Sequence, residues 1–469
     1  MRKVFFVVLV SLLLVNCSQS RKLPSSHLQW KFSDDGWVLK KEFDKNEYEK
    51  FFAIGTWHVP GYAFTDSVET DEKSYENNAS LFKKKTDPFN MVFMTPGFQK
   101  DYMTDKIHII NPFSPILHHY LDSIPELPKG KDKDYYRVQY LKKVVNTADF
   151  DQYLDTEIKK VLQNLPNERY LFSHIDEIAL GGVSRWAIPP SVGAKFNQKV
   201  KENDKDALIF VDLLGHCRGT TYFFEQSYLR NHDALPEEPP YELLSESARK
   251  CEIPLLGFFK SYNDMPVYQF DNGKYDYADY GFETLKSNWY ENAKLIAQDY
   301  KGCGDVFGIN AFWDFSNYPV LSGITVDALR AGLGADTPIW IYFDGNGYAR
   351  PAGVSPEMYV ELVKCQIYTA VIHGATGILF WNDWSKKPEV FDTLLPMLKE
   401  LNKNLSVIEL KTVDKKIDNN LHILIKQDEK GQKYIIATNT SKTDELQLII
   451  PTIQKKELAP LEVFISPFQ

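Results

Sequence analysis

The stretch YLFSHIDEIALGGVSRW, Tyr170 to Trp186, decides how the rest of the chain is read. Its apolar run, with Tyr170, Phe172 and Ile175 in alternating character, ends abruptly in two carboxylates, Asp176 and Glu177. A Gly-Gly pair, Arg185 and Trp186 follow at once. Alternation of this kind marks a strand. A buried strand that delivers acids to its C-terminal tip, then opens into a loop carrying an aromatic, is how a (β/α)8 barrel builds a reactive rim. Alone, the same residues also fit a strand whose solvated acids merely cap the next helix. The rest of the chain decides, because several later strands end in the same way.

On the N-terminal side, FFAIGTW (Phe51 to Trp57), NMVFMTP (Asn90 to Pro96) and KIHIINP (Lys106 to Pro112) read as strands one to three, the third resting on the shortest spacing. Phe150, Leu154, Ile158, Val161, Leu162 and Leu165 then recur at helical spacing. On the C-terminal side, Val192, Phe196 and Val200 mark a helix face before ALIFVDLLG (Ala207 to Gly215), strand five. Residues 216–283 are irregular, and so long an excursion in a compact domain usually forms a lid or cleft wall. A helix near Leu285 to Asp299 leads to strand six, DVFGINAFWDF (Asp305 to Phe315), and then strand seven, TPIWIYFDG (Thr337 to Gly345). Ser355-Pro356-Glu357 supplies a cap, a first-turn proline and an acid facing the helix dipole. That helix turns Val360, Val363, Ile367, Ala370 and Val371 inward and ends at His373-Gly374, before strand eight, ATGILFWND (Ala375 to Asp383).

Eight strands alternating with helical segments predict an α/β fold, a (β/α)8 TIM barrel enlarged by loop insertions. A doubly wound sheet is the structural rival, but no GxGxxG or phosphate loop follows the first strand. From Leu421 onward LHILIKQ, KYIIATN, ELQLIIP and LEVFISP alternate with turn-rich segments, which predicts a small antiparallel β-sandwich packed on the barrel. The expected organisation is an address segment at 1–17, a tether and lead-in at 18–50, the barrel at 51–405 and the sandwich at 406–469.

The 469 residues carry 54 basic and 63 acidic side chains, a net charge of −9, and no basic stripe that would track phosphates, which argues against nucleic acid as a partner. Aromatics reach 14%, with nine tryptophans to place. At the N-terminus Arg2 and Lys3 precede an apolar run, Val4 to Val15, too short to stay in a bilayer as a spanning helix. The run stops at Leu14-Val15-Asn16-Cys17. Cys217, Cys251, Cys303 and Cys365 have no CxxC spacing, so zinc is not expected. Export would permit Cys217 to pair with Cys251 or Cys303, while Cys365 reads as core.

The strand tips carry a consistent chemistry. Strand one offers Trp57 and His58, strand four Asp176 and Glu177, and strand five Asp212 and His216. Strand six offers Trp313 and Asp314, strand seven Tyr342 and Asp344, and strand eight Trp381, Asn382, Asp383 and Trp384. Acids that break a glycosidic bond, beside flat aromatic faces that stack on sugar rings, suit carbohydrate. Trp186, Trp313 and Trp381 are the stacking candidates, and Trp340 reads as core. His118 and His119 read as a solvated loop, His58 as a substrate-binding or supporting group, and Asp383 as a loop cap or substrate hydrogen-bonding group.

Ile54-Gly55-Thr56-Trp57, Asp176-Glu177 and His373-Gly374-Ala375-Thr376-Gly377-Ile378 with Phe380-Trp381 together resemble TIM-barrel glycoside hydrolases, in particular the lipoprotein hydrolases of bacterial polysaccharide-utilisation systems. The resemblance covers roughly Phe51 to Asp383. Asn16-Cys17 is similar to a lipobox, with Asn16 in place of the usual small residue, and implies lipidation at Cys17. By position, the resemblance implies Glu177 as the acid/base, with Asp176 replacing the usual Asn and Asp344 standing where a nucleophilic Glu would be. The shorter Asp leaves an inverting mechanism, or Asp314 as the partner, open. An ionised Asp176 would raise the pKa of Glu177. The competing readings are a salt bridge or helix cap for Glu177 and plain turn chemistry for Asp344-Gly345.

The expectation is therefore a monomeric glycoside hydrolase acting on an oligo- or polysaccharide without a cofactor. The resemblance implies lipid anchoring to the outer membrane, or facing the periplasm, of a Gram-negative bacterium. Trp57, His58, Asp176, Trp186, Trp313, Tyr342, Trp381 and Asp383 are the substrate-contact candidates. The rival class is a surface glycan-binding lipoprotein that kept the barrel without catalysis. A metal-dependent hydrolase would need an HxH on strand one, which is missing.

Overall fold

The computed structural model describes residues 28–57, 86–93, 105–124, 133–165, 169–174, 176–179, 188–213, 282–381, 388–450 and 453–468. The lead-in is not an irregular segment. It is an antiparallel sheet of β1 (Leu28–Phe32), β2 (Val38–Glu42) and β3 (Glu49–Phe51).

The barrel strands follow: β4 (Ala53–Trp57), β5 (Met91–Phe93), β6 (Ile107–Ile110), β7 (Tyr170–Ser173), β8 (Ile209–Asp212), β9 (Val306–Gly308), β10 (Trp340–Asp344) and β11 (Gly377–Trp381). All neighbours pair in parallel in the order β10-β11-β4-β5-β6-β7-β8-β9. The two ends of this sheet meet through parallel bridges Phe307↔Ile339 and Asn310↔Tyr342, which close the barrel. The weakest strand assignment from sequence, Lys106 to Pro112, holds as β6, paired on both sides.

Because strand side chains alternate, each strand feeds two cores. Ala53, Met91, Ile109, Leu171, Phe210, Trp340 and Leu379 fill the interior, with Leu28, Val38 and Phe51 of the lead-in packed into the same cluster. Ile54, Ile110, Phe172, Val211, Ile341, Phe343 and Phe380 face outward into the helices. Trp340 is fully buried and stacks on Phe210 at 5.7 Å. Closure around it needs Gly308, where an added Cβ would lie 2.0 Å from the Trp340 carbonyl oxygen.

The outer layer comprises α1 (Phe113–Asp122), α2 (Lys133–Val144), α3 (Ala148–Gln163), α4 (Pro190–Asn203), α5 (Phe282–Tyr300), α6 (Phe312–Asn317), α7 (Leu321–Leu333), α8 (Pro356–His373) and α9 (Pro388–Ile408). The Ser355 hydroxyl accepts the Met358 N–H at 3.3 Å, and Gly374 ends α8 at φ +111°. Pro356 in the first turn completes the start read from sequence.

Some expectations need correction. Strand six stops at Gly308, and Phe312–Asn317 is a helix, so Trp313 and Asp314 sit on α6 rather than at a strand tip. His118 and His119 are exposed as expected, but they lie on α1, since Phe113, Ile116, Leu117 and Leu121 give that segment a buried helical face. Cys303 is a free thiol, buried, with its sulfur donating to the Pro190 carbonyl, so it does not pair with Cys217. Cys365 is free and buried. Most of the 216–283 excursion lies outside the described residues.

At the C-terminus β12 (Lys411–Asp418), β13 (Leu421–Gln427) and β14 (Lys433–Asn439) pair in order. β15 (Leu446–Ile450) and β16 (Ile453–Leu458) form a separate hairpin, and β17 (Val463–Phe468) returns to β14. Period-two alternation again serves two faces: Leu424 and Ile436 join the barrel's outer core, while Ile423, Ile435 and Ala437 pack with Leu448 and Leu458 of the hairpin. The result is a TIM barrel followed by a small antiparallel β-sandwich.

Candidate active site

Two strand ends build the site. Beyond β7 the chain turns so that the Ile178 and Ala179 N–H groups donate to the carbonyls of Asp212 and Leu213, each at 3.1 Å. Ile178 and Ala179 are fully buried, which anchors the turn. This extension of the β7–β8 pairing sets Asp176 and Glu177 beside Asp212, the last residue of β8. Glu177 takes φ +46°, a left-handed conformation that costs a residue with a Cβ about 1–2 kcal/mol. Such strain at a reactive rim is a recurrent mark of function.

Asp212 is 2% exposed. Its Oδ2 accepts the Asn310 side-chain N–H at 3.1 Å, and no N–H or O–H of the described residues donates to its Oδ1. The Asp212 and Asp176 carboxyls are close enough to act on one another's proton affinity as hydrogen-bonding neighbours. Two carboxyl groups bond only if they share a proton, since each ionised oxygen is an acceptor. The electrostatics agree. Burial, then the Asp176 and Glu177 charges, hold Asp212 well above the usual carboxylate range. Burial, then the Glu177 charge, push Asp176 up to about 7, with the Asp212 hydrogen bond pulling the other way. Asp176 as a residue keeps exposed surface, while its carboxyl is the part that is buried toward Asp212. The sequence assigns the like-charge effect to Glu177; in the structure the same effect also raises Asp176 and Asp212.

Tyr342 faces the pair, and other aromatic groups occupy neighbouring strand ends. Tyr342 is 3% exposed, stands edge-on to Trp57 at 6.1 Å and to Phe210 at 5.6 Å, and its hydroxyl has no hydrogen-bond partner among the described residues. Burial, then the Asp212 and Asp176 charges, push its pKa far up, so it stays a phenol. Trp57 stacks on Phe93 at 4.0 Å. Trp381 stacks on Phe312 at 6.1 Å and meets the half-exposed Tyr348 edge-on at 5.4 Å.

Asp344 is engaged differently. It is 2% exposed; Oδ1 accepts the Asn346 N–H at 2.8 Å, and Oδ2 accepts the Ala349 N–H at 2.7 Å and the Tyr359 hydroxyl at 2.6 Å. It organises the β10 turn and ties it to α8. Asp314 is half-buried in the first turn of α6, where its carbonyl accepts the Tyr318 N–H. His58, Trp186, Asp383 and Cys17 lie outside the described residues.

Reading the sequence puts Asp212 at a strand tip without giving it a role, and it passes over Asn310. Their signal is topological: Asp212 ends β8, which pairs with β7, and Asn310 lies just beyond β9, which pairs with β8. His174 looks reactive by type, but burial lowers its pKa to about 3, and it is a neutral core residue edge-on to Phe113 and Phe196. Among the described residues no group of three or more His, Cys, Asp or Glu is arranged to hold a metal.

No protein-family model and no curated protein matches the chain. Similar solved structures include a family 39 glycoside hydrolase from Bacteroides cellulosilyticus (9% identity, 91% of this chain, 81% of that one, TM-score 0.40). A cyclic α-maltosyl-(1→6)-maltose hydrolase from Arthrobacter globiformis is similar at 9% identity, 88% and 98% coverage and TM-score 0.42. A family 27 β-L-arabinopyranosidase from Geobacillus stearothermophilus is similar at 10% identity, 85% and 93% coverage and TM-score 0.41. These solved structures are glycoside hydrolases with a backbone layout like this one, and any reading of function rests on the side chains of the mouth.

Proposed function

We propose that the chain is a glycoside hydrolase whose reaction is run by Asp176, Glu177 and Asp212. The observation that carries this reading is the proton-sharing Asp176–Asp212 pair at the C-terminal mouth of the barrel, beside Glu177 and faced by Tyr342. A carboxyl with a pKa of about 7 still holds its proton about half of the time at neutrality, as a general acid poised near the working pH requires. Asp176 donates that proton to the glycosidic oxygen, and the electron pair of the breaking C–O bond goes to the leaving oxygen. The Glu177 carboxylate offsets the positive charge that develops on the sugar and serves water activation or direct attack. Asp212 keeps its own proton, steadies Asp176 and is itself steadied by Asn310. The part-exposed Trp381, beside the exposed Tyr348, supplies a flat face against which a sugar ring packs. Arg2, Lys3, the Val4 to Val15 run and Cys17 support export and lipid anchoring. Loss of fatty-acid labelling in Cys17→Ser tests that part.

The hydrolase reading is tested by incubating a form lacking residues 1–17 with a broad glycan panel, beside Asp176→Asn and Glu177→Gln. The expected result is sugar release by the parent and a loss of roughly 10²–10⁴-fold in Asp176→Asn, the usual weight of a general acid. Undiminished release by that variant would sink Asp176 as the acid. One observation favours a second reading, glycan binding without cleavage: Asp344, the carboxylate at the seventh barrel strand, is taken up by the fold. Retention on a glycan gel with no cleavage by the parent would select it.

A further inference from the structure

The sandwich meets the barrel through a buried chain of polar groups whose proton count can be read from its partners. His422 on β13 places Nε2 2.9 Å from the Asn419 carbonyl, which only accepts, so Nε2 carries a proton and donates. In neutral His422, Nδ1 is then a lone pair. It faces His373 Nε2 on α8 at 2.9 Å, so His373 must donate there. His373 Nδ1 lies 2.6 Å from Asp327 Oδ2 on α7. Asp327 is 40% exposed on its side chain, with Lys415 of β12 at 4.0 Å, which favours its carboxylate form. The His373–His422 pair therefore holds one proton beyond the neutral count, between Asp327 and the Asn419 carbonyl. The chain accepts one proton and has no place for a second: a proton on His422 Nδ1 would point at the His373 N–H across 2.9 Å.

We propose that Asp327, His373 and His422 form a proton-gated latch that holds the C-terminal sandwich on the barrel near neutrality and releases it in acid. The other charges facing the chain are few. Lys415 and Arg330 flank Asp327, with the Arg330 guanidinium donating to the Gly374 carbonyl at 2.8 Å, and Lys286 of α5 acts on His422. Burial, then the His373 charge and that of Lys286, lower the His422 pKa to about 4, against the opposing pull of the Asn419 carbonyl and Asp327. The unfolded or undocked His422 takes its proton near 6.5 and the docked one near 4, so docking weakens as pH falls from about 6.5 through about 4.

The interface contains its own reporter. Cys365 on α8 is fully buried, and its sulfur donates to the Asn439 carbonyl of β14 at 3.4 Å, so lifting the sandwich uncovers it. Cys303, buried beneath Pro190 and away from the sandwich, is the internal control. The experiment is labelling of the folded protein with a pyridyl disulfide from about pH 7.5 to about 4.5, a window that spans the His422 titration, each site quantified by peptide mass. Cys365 labelling relative to Cys303 is expected to rise roughly tenfold or more toward the acid end. In His422→Asn, which keeps an acceptor and cannot be protonated, the ratio is expected to stay flat. Asp327→Asn, a change at a half-exposed position, should raise the ratio already near neutrality by removing the partner of the His373 charge. A parent ratio that does not change with pH, a slope unaltered in His422→Asn, or an Asp327→Asn ratio equal to the parent's would overturn the latch.

Discussion

Replacing Asp212 by asparagine isolates the shared proton at the barrel mouth. Both carboxyls of the pair hold protons more tightly in the folded state than in the unfolded chain. Their contribution to stability is thus fully present below about pH 4 and is lost as pH rises through about 7, the value for Asp176. For Asp176, the rise from 3.8 to about 7 corresponds to roughly 4 kcal/mol for a dry group. Its exposure as a residue cuts this to about 1–2 kcal/mol. Asp212 is the more deeply buried member, so removing its carboxyl returns at least that much at high pH. The asparagine side chain would keep the shape, could still donate an amide N–H to Asp176, and could not ionise. The Asp212→Asn variant should therefore be more stable than the parent at about pH 8 by no less than about 1–2 kcal/mol, a Tm gap of about 1–2 °C or more, and the gap should close toward about pH 4. Thermal unfolding followed by circular dichroism in matched buffers across that range measures it directly. A gap that is independent of pH, or a variant less stable than the parent at the alkaline end, would refute the shared proton.

Other substitutions separate architecture from chemistry. Glu177→Gly should relieve the left-handed backbone and stabilise by about 0.5–1 kcal/mol in denaturant titration, while hydrolysis falls. Asp344→Ala leaves two buried N–H groups and the Tyr359 hydroxyl short of an acceptor and should destabilise by about 3–5 kcal/mol. Its effect should appear in the unfolding midpoint and not in kcat of the folded fraction; the reverse would return Asp344 to the reaction. Gly308→Ala drives a Cβ into the Trp340 carbonyl, so the β9–β10 closure should open and soluble yield should collapse. Ser355→Ala removes the cap of α8 and should cost about 1 kcal/mol in a urea titration.

Wherever local chemistry dictates local structure, the chain can be read directly. The α8 helix is the clearest instance: Ser355, Pro356 and Gly374 act within a turn of themselves, and each sits where its chemistry requires. β6 is harder, with only four residues, because both of its neighbours are distant in sequence and its strand character comes from pairing with β5 and β7. Asp305 to Phe315 shows the limit. Its pairing with β10 runs on past Gly308 to the Asn310↔Tyr342 bridge, after which Phe312–Asn317 coils into α6. That last pairing depends on β10, beyond the whole of α7, where no window around Asp305 could register it.

The site has the same asymmetry, and it bears on which carboxylate does the chemistry. Asp176, Glu177, Asp212 and Asp344 all end barrel strands or the turns beyond them, so position alone ranks them equally. What separates them is the partner that each one meets. Asp344 meets two backbone N–H groups and a phenol, which stabilise its ionised form. Asp212 meets N–H groups of Asn310 and Glu177, which favour its ionised form, but burial and the Asp176 and Glu177 charges outweigh them and favour the form that keeps a proton. That second environment exists only because the Ile178 and Ala179 N–H groups reach the carbonyls of Asp212 and Leu213 and draw the Asp176 turn onto β8. The backbone pairing that builds the barrel is thus also what forces two acids together, and the left-handed Glu177 is the strain left where that pairing turns the chain.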